Sequence, residues 1–141
     1  MEITRETDYA IRCVLYLSVR RETTVMVDEI SQAKSIPRSF LAKIMQKLTK
    51  AGIVNSFRGV KGGFRLARKP EQVSLLDVIE AIEGPTAMSR CAIEASACNL
   101  SAACAVHPVW VNLRNMVEDY LRRTDFKTLS SPNSSYEQND L

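Results

Sequence analysis

The sequence predicts a mainly α-helical chain with one small β-hairpin, arranged as a winged helix-turn-helix followed by a long C-terminal helix. Three observations predict it. Two short helical segments lead through an Ile-Pro turn into a basic third helix. Two β-like runs around a glycine-rich turn follow directly, in the place of a wing. A late segment then carries one continuous apolar stripe at helical spacing.

Residues 7–20, TDYAIRCVLYLSVR, place Tyr9, Cys13 and Leu17, with Ala10 and Val14, on one helical face. Arg20, Arg21 and Thr23-Thr24 end that helix. Asp28 begins a short second helix, DEISQAK, with Ile30 and Ala33 expected inward. Pro37 restarts the chain at the first turn of a third helix, where proline is tolerated. There Leu41, Ile44, Met45 and Leu48 fall at i, i+3, i+4 and i+7, a core stripe. The opposite face shows Arg38, Ser39, Lys43, Lys47 and Lys50, and Gly52 is a good C-terminal stop. IVNSFRG and FRLAR flank VKGG as a hairpin. Ser74 can cap a fourth helix, SLLDVIEAI, which Gly84-Pro85 ends. From Pro108 to Arg123 the stripe is Val109, Leu113, Met116, Val117, Tyr120 and Leu121. These readings divide the chain into a winged helix-turn-helix (1–84), a cysteine-rich loop (85–107), a dimerisation helix (108–129) and a polar, disordered tail (130–141).

With 141 residues, 45% of them hydrophobic, the chain can bury a real core and still carry an extra element. Its net charge of +3 says less than the charge distribution. Between Lys34 and Lys69 stand ten of the nineteen Lys and Arg, with no Asp or Glu. Solvated faces usually mix signs, so an acid-free basic run points to a polyanionic partner. The N-terminus lacks a signal-peptide pattern, and no apolar run approaches the ~18 residues of a membrane span. A cytoplasmic protein with no membrane association is expected. Thiols there stay reduced, so the four cysteines suggest ligation or reactivity rather than disulfides.

An α-helix fills the major groove of duplex DNA, and its N-terminal residues reach base edges. In the third helix those are Arg38, Ser39, Phe40 and Lys43, with Lys47 further along the same polar side. The wing tip, RGVKGG, brings Arg58 and Lys61 to the duplex, and Arg58 suits a narrow, negative minor groove. Gly59, Gly62 and Gly63 permit a tight turn and close approach to phosphates. No GK[ST] follows, so the glycines are not a phosphate loop. One histidine and no recognisable nucleophile–base pair leave nothing to build an enzyme on.

Cys91, Cys98 and Cys104 lie close together, followed by the chain's only histidine, His107. Three thiols and an imidazole form a soft ligand set. The spacing is neither that of paired zinc knuckles nor the C-x-x-C of thioredoxin-like motifs. A loop of three thiolates suits an iron–sulfur cluster with a fourth ligand from elsewhere, and His107 is one candidate. Spacing alone leaves cluster, zinc and unligated thiols open. Cys13, inside CVLYL, reads as a small core residue.

Taken together, TDYAIRCVLYL, IPRSFLAKIMQKLTKAGIV, SFRGVKGGFRLAR, SLLDVIEAIEG and the cysteine trio with HPVW resemble the bacterial iron–sulfur winged-helix regulators, the IscR- and NsrR-like transcription factors. The resemblance is co-linear over residues 1–125. It implies a homodimer bound to a double-stranded DNA operator, with the C-terminal helices paired. It also implies a 2Fe–2S or 4Fe–4S cluster on Cys91, Cys98 and Cys104. IscR-like members take a fourth ligand from a histidine after the third cysteine, which matches His107. NsrR-like members take an aspartate from the first helix of the other subunit, which matches Asp8 of the partner subunit. Asp8 also has a plain structural role, since a carboxylate in a first turn offsets the helix dipole. The short Cys104–His107 spacing favours His107. Where IscR-like members place glutamate and glutamine in the reading helix, this chain has Ala42 and Lys43, which predicts a different operator. Ser39 and Arg58 match the reading positions. The expected function is a DNA-binding regulator whose operator affinity follows an iron–sulfur cluster sensing iron, redox state or nitric oxide. The alternatives are a thiol redox switch without a cluster and a zinc-stabilised winged-helix interaction module.

Overall fold

Thr4 opens the first helix. Its Oγ1 accepts a hydrogen bond from Thr7 N at 3.2 Å, satisfying one of the free N–H groups of a helix start. In the computed structural model, which describes residues 2–131, α1 therefore runs Arg5–Val19 and begins before the expected position. Ala10, Cys13, Val14 and Leu17 are buried along one face. Cys13 Sγ donates to Met45 Sδ at 3.5 Å. Burial pushes the Cys13 thiol up to about 12, so it is a core filler.

α2 (Val27–Lys34) and α3 (Arg38–Lys50) follow. Ala33 is exposed rather than inward. The short α2 turns away at Ser35, which has φ 52°, and Ile36, just past the helix, takes the core position. Pro37 is the N-cap of α3 rather than part of its first turn. Its carbonyl accepts from Phe40 N and Leu41 N. Leu41, Ile44, Met45 and Leu48 are buried as the spacing predicts, and α3 packs on α1, α2 and α4.

The wing is β1 (Val54–Phe57) paired antiparallel with β2 (Gly63–Leu66), in a register running from Val54 opposite Leu66 to Phe57 opposite Gly63. Val25, between α1 and α2, adds a bridge: Val25 N and Phe64 N each donate to the other's carbonyl at 2.8 Å. The wing is thus stitched to the helical body. Gly63 sits at φ 144°, and a Cβ there would meet Val25 O at 2.6 Å. At Gly62 a Cβ would lie 2.5 Å from Phe57 O. Both glycines have a reason inside the chain, the close approach of backbone strands.

α4 (Leu75–Glu83) starts with a reciprocal cap. Asp77 N donates to Ser74 Oγ at 3.1 Å and Ser74 N donates to Asp77 Oδ2 at 2.9 Å. Residues 85–106 hold two single 3-10 turns, Arg90–Ala92 and Ala95–Ala97, and further hydrogen-bonded turns over 98–103. α5 (His107–Arg122) has no buried residue.

The expected helix over 108–129 is not continuous. After α5 the chain folds back at Thr124 and Asp125, and a short α6 (Phe126–Leu129) follows. Leu75 N donates to Thr124 O at 2.8 Å and Phe126 N to Val73 O at 3.0 Å. Asp125 Oδ1 accepts from Thr128 N at 2.8 Å, capping α6. Phe126 is fully buried among residues of the winged helix. Burying its ring and satisfying these backbone groups outweigh one more turn of exposed helix. Of the expected tail, Ser130 closes α6 through Oγ to Phe126 O at 2.6 Å, while 132–141 lie outside the described residues. Among those residues no helix is long and apolar enough to cross a membrane.

Phe126 lies beyond the expected DNA-binding unit, yet its removal should strike the common core. Phe126→Ala is expected to lower unfolding free energy by about 3–5 kcal/mol, read from urea midpoints. Met116→Ala on exposed α5 should change the free chain far less.

Candidate nucleic-acid interface and cysteine loop

Burying Leu41, Ile44, Met45 and Leu48 turns the other side of α3 outward. At about 100° per residue, Ser39 and Lys50 centre that face, with Gln46 and Lys43 to either side and Ala42 at its edge; all five are exposed. With the wing, α3 forms an open groove of about 680 Å³, lined by Ala42, Gln46, Thr49, Lys50, Ser56 and Arg58 among others. Arg58 and Lys61 stand exposed at the hairpin turn. Between them Val60 is fully exposed.

Two of the expected DNA-facing cations are already paired. Arg38 Nε lies 2.8 Å from Asp28 Oδ1, and Lys47 Nζ lies 2.8 Å from Glu6 Oε1. Phe40 stacks edge-on against Tyr9, with centroids 5.3 Å apart, which ties it to α1 rather than leaving it free. The same end of α1 reaches α4. Glu83 Oε1 accepts from Thr7 Oγ1 at 2.6 Å and from Thr4 N at 3.0 Å. Burial pushes the Glu83 carboxyl up, but these hydrogen bonds outweigh it and hold it below its ordinary value.

The cysteine loop leaves the end of α4 and returns at α5. Cys91 is half-buried, its Sγ 3.2 Å from Ser89 Oγ. Cys104 is half-buried and Cys98 exposed, and all are free thiols. Arg114 of α5 donates to Ala92 O at 2.8 Å and pairs with Glu118 at 2.9 Å, clamping the turn that bears Cys91. His107 is the first residue of α5, at the loop–helix junction. Among the described residues its buried Nδ1 has no hydrogen-bond partner, nor have Thr86 Oγ1 and Ser101 Oγ in the same loop. Orphaned buried polar atoms are uncommon and call for an explanation. Asp8 instead pairs with Arg12 at 2.7 Å on its own helix.

The donor chemistry suits a soft metal group: three free thiols and an imidazole nitrogen with no partner among the described residues. The described residues of one chain do not assemble it, since no three His, Cys, Asp or Glu side chains there form a group that could hold a metal ion.

Comparison with known proteins decides the class. The family model for Rrf2, described as an iron-dependent transcriptional regulator, matches residues 3–132. The chain belongs to the Rrf2 family. An HTH-type transcriptional regulator of Aquifex aeolicus is 36% identical over 123 residues, covering 86% of this chain and 85% of that one. IscR of Aliivibrio salmonicida is 30% identical over 122 residues, covering 86% and 72%. CymR, the global cysteine regulator of B. subtilis, superposes with a TM-score of 0.76 over 92% of this chain and 96% of that one. At 22% identity that likeness is one of fold. As an Rrf2-type winged helix the chain is a DNA-binding transcriptional regulator and not an enzyme.

The sequence readings passed over Gln46, although the helical wheel that exposes Ser39 and Lys50 exposes it equally. They also passed over Glu6 and Asp28 as partners of Lys47 and Arg38, and over the Arg114 clamp. These are tertiary pairings that no local pattern announces.

Thiol labelling checks the loop geometry. In the native, metal-free, reduced protein Cys98 is expected to react first with a thiol reagent, with Cys91 and Cys104 slower. Cys13 should react only after denaturation. Rapid native labelling of Cys13 would contradict its burial.

Proposed function

We propose that the operator affinity of this regulator is set by an iron–sulfur cluster held by Cys91, Cys98 and Cys104, with His107 as the fourth ligand. The observation that carries the reading is the buried Nδ1 of His107, without a hydrogen-bond partner among the described residues, at the end of the loop that bears three free thiols. The family description as iron-dependent and the IscR relative support it. Asp8 of the partner subunit is the weaker choice, because its carboxylate would first have to leave Arg12. When bound, the cluster supplies a group that iron supply, oxidants or nitric oxide can alter. The chain's own part is to hold the loop and relay its position. His107 heads α5, Arg114 ties the Cys91 turn to the same helix, and α4 packs against both α5 and α3. A change at the loop therefore reaches the helix that faces DNA and shifts the balance between strong and weak binding.

The α3 face and the wing take the duplex. Ser39 and Lys43 reach base edges and Arg58 reaches the minor groove, with Lys50 and Lys61 on phosphates. A second copy completes the reader. No α5 residue is fully buried within one chain: Leu113, Val117 and Leu121 are half-buried, and Val109, Met116 and Tyr120 leave 53%, 68% and 61% of their surfaces exposed. An apolar stripe of that kind marks an interaction surface.

A second reading is a thiol switch without a cluster, in which oxidation of the exposed Cys98 controls DNA binding. It is favoured by that exposure and by the separation of the thiols in one chain.

Anaerobic purification, with visible absorption and iron and sulfide counts, tests the first reading on wild type, Cys98→Ala, His107→Ala and Asp8→Ala. Visible absorbance with iron and sulfide is expected in wild type, lost in Cys98→Ala, lost or shifted in His107→Ala and kept in Asp8→Ala. A colourless wild type after reconstitution would sink it. An oxidant response that persists in iron-depleted protein and vanishes in Cys98→Ala would favour the thiol switch.

Lys47 is a phosphate contact that Glu6 holds back. Glu6→Gln is expected to raise affinity for random duplex by up to about fivefold, the upper end of an exposed pair's worth. It should also steepen log K against log salt by about 0.9. The change should disappear in a Lys47→Gln background; a change of equal size there would reduce it to a general charge effect.

A further inference from the structure

We propose that Gln46 is a base-reading residue of this regulator and that it takes adenine. The proposal rests on the reading of α3 as the helix that enters the major groove. Gln46 stands on the exposed face, about 30° from the direction opposite the buried stripe at 100° per residue. It lines the groove between α3 and the wing, as does Arg58. Its carboxamide makes no hydrogen bond among the described residues.

The neighbours narrow the assignment. Arg38 and Lys47, at the margins of the face, are held by Asp28 and Glu6 at 2.8 Å each. Phe40 is stacked on Tyr9. One turn before Gln46, Ala42 carries only a methyl group, so nothing on that side keeps a base edge away. What remains on the face is Ser39, Lys43, Gln46 and Lys50. A lysine only donates, which suits guanine O6/N7 or a phosphate, and a hydroxyl can donate or accept and so discriminates little between edges. Gln46 alone offers an acceptor and a donor side by side. That pair matches adenine, whose N6 amino group donates and whose N7 accepts in the major groove. The carboxamide oxygen would accept from N6, and the carboxamide nitrogen would donate to N7.

The test is selection of binding sites from a random duplex pool by the anaerobically purified full chain, wild type and Gln46→Ala. Gln46 is exposed and alanine is the better helix former, so the variant keeps the fold, which circular dichroism verifies. Wild type is expected to enrich adenine at one base pair per bound chain. Gln46→Ala should lose that preference and keep the others. At the selected site, replacing that adenine by 7-deazaadenine should weaken wild-type binding and leave the variant unchanged. Replacing the base pair should cost wild type roughly 5- to 150-fold. A wild type that enriches no sequence, or shows no salt-dependent duplex binding, would overturn the α3 reading itself. A specific wild type whose preferences all survive in Gln46→Ala, or whose binding ignores the 7-deaza substitution, would overturn the role of Gln46 alone.

Discussion

Everything outward-facing on α3 depends on the four side chains it buries. Leu41, Ile44, Met45 and Leu48 lock the helix against α1, α2 and α4. Rotation by a single residue would move each by about 100° and bring polar groups into the core. The apolar stripe therefore fixes which residues meet solvent, and so which can meet a base pair. Core packing and specificity are two consequences of one rotational setting. The wing is set by the same body, because Val25 hydrogen-bonds to Phe64 while β1 follows directly from the end of α3.

The first two turns of α1 form a junction between the DNA-facing side and the cysteine loop. Glu6 and Tyr9 meet Lys47 and Phe40 of α3. Thr4 and Thr7 hold Glu83, the last residue of α4. The loop that carries the three cysteines departs from that end of α4. Those contacts link the end of α4, where the loop begins, to α3 through side chains already touching. Pairing also tempers the basic face. Where Arg38 and Lys47 are held by carboxylates, any external anion must compete with an internal one.

The helices of the winged unit were legible because burial imposes a period, and the period is written in Tyr9 to Leu17, in Leu41 to Leu48 and in Leu76 to Ile82. The wing was legible because only glycine fits where Gly62 and Gly63 meet backbone. The break after α5 was not. Asp125 before Phe126 is a capping signal, but the apolar spacing runs on past it. The decision is made by Val73 and Leu75, some fifty residues earlier. The charge pairing was hidden for a related reason. The basic run from Lys34 to Lys69 contains no acid, and the acids that answer it, Glu6 and Asp28, come from outside. In the cysteine loop the donors could be read but not their gathering, since ligation depends on distances that no spacing supplies.

The fold-back at Thr124–Phe126 gives α5 an unequal pair of ends. Its C-terminal end is pinned to the body by two backbone hydrogen bonds and a buried ring, while its other end bears His107. With 16 residues, α5 is about 24 Å long. It is thus a lever with its pivot at Phe126, and the other arm carries the Cys91 turn that Arg114 ties to it. A tilt of a few degrees moves His107 by about 1 Å over that length, while the anchored end stays in place. Read in the other direction, a small displacement at the loop swings the whole exposed stripe of α5, so any second chain seated on that stripe would turn with it.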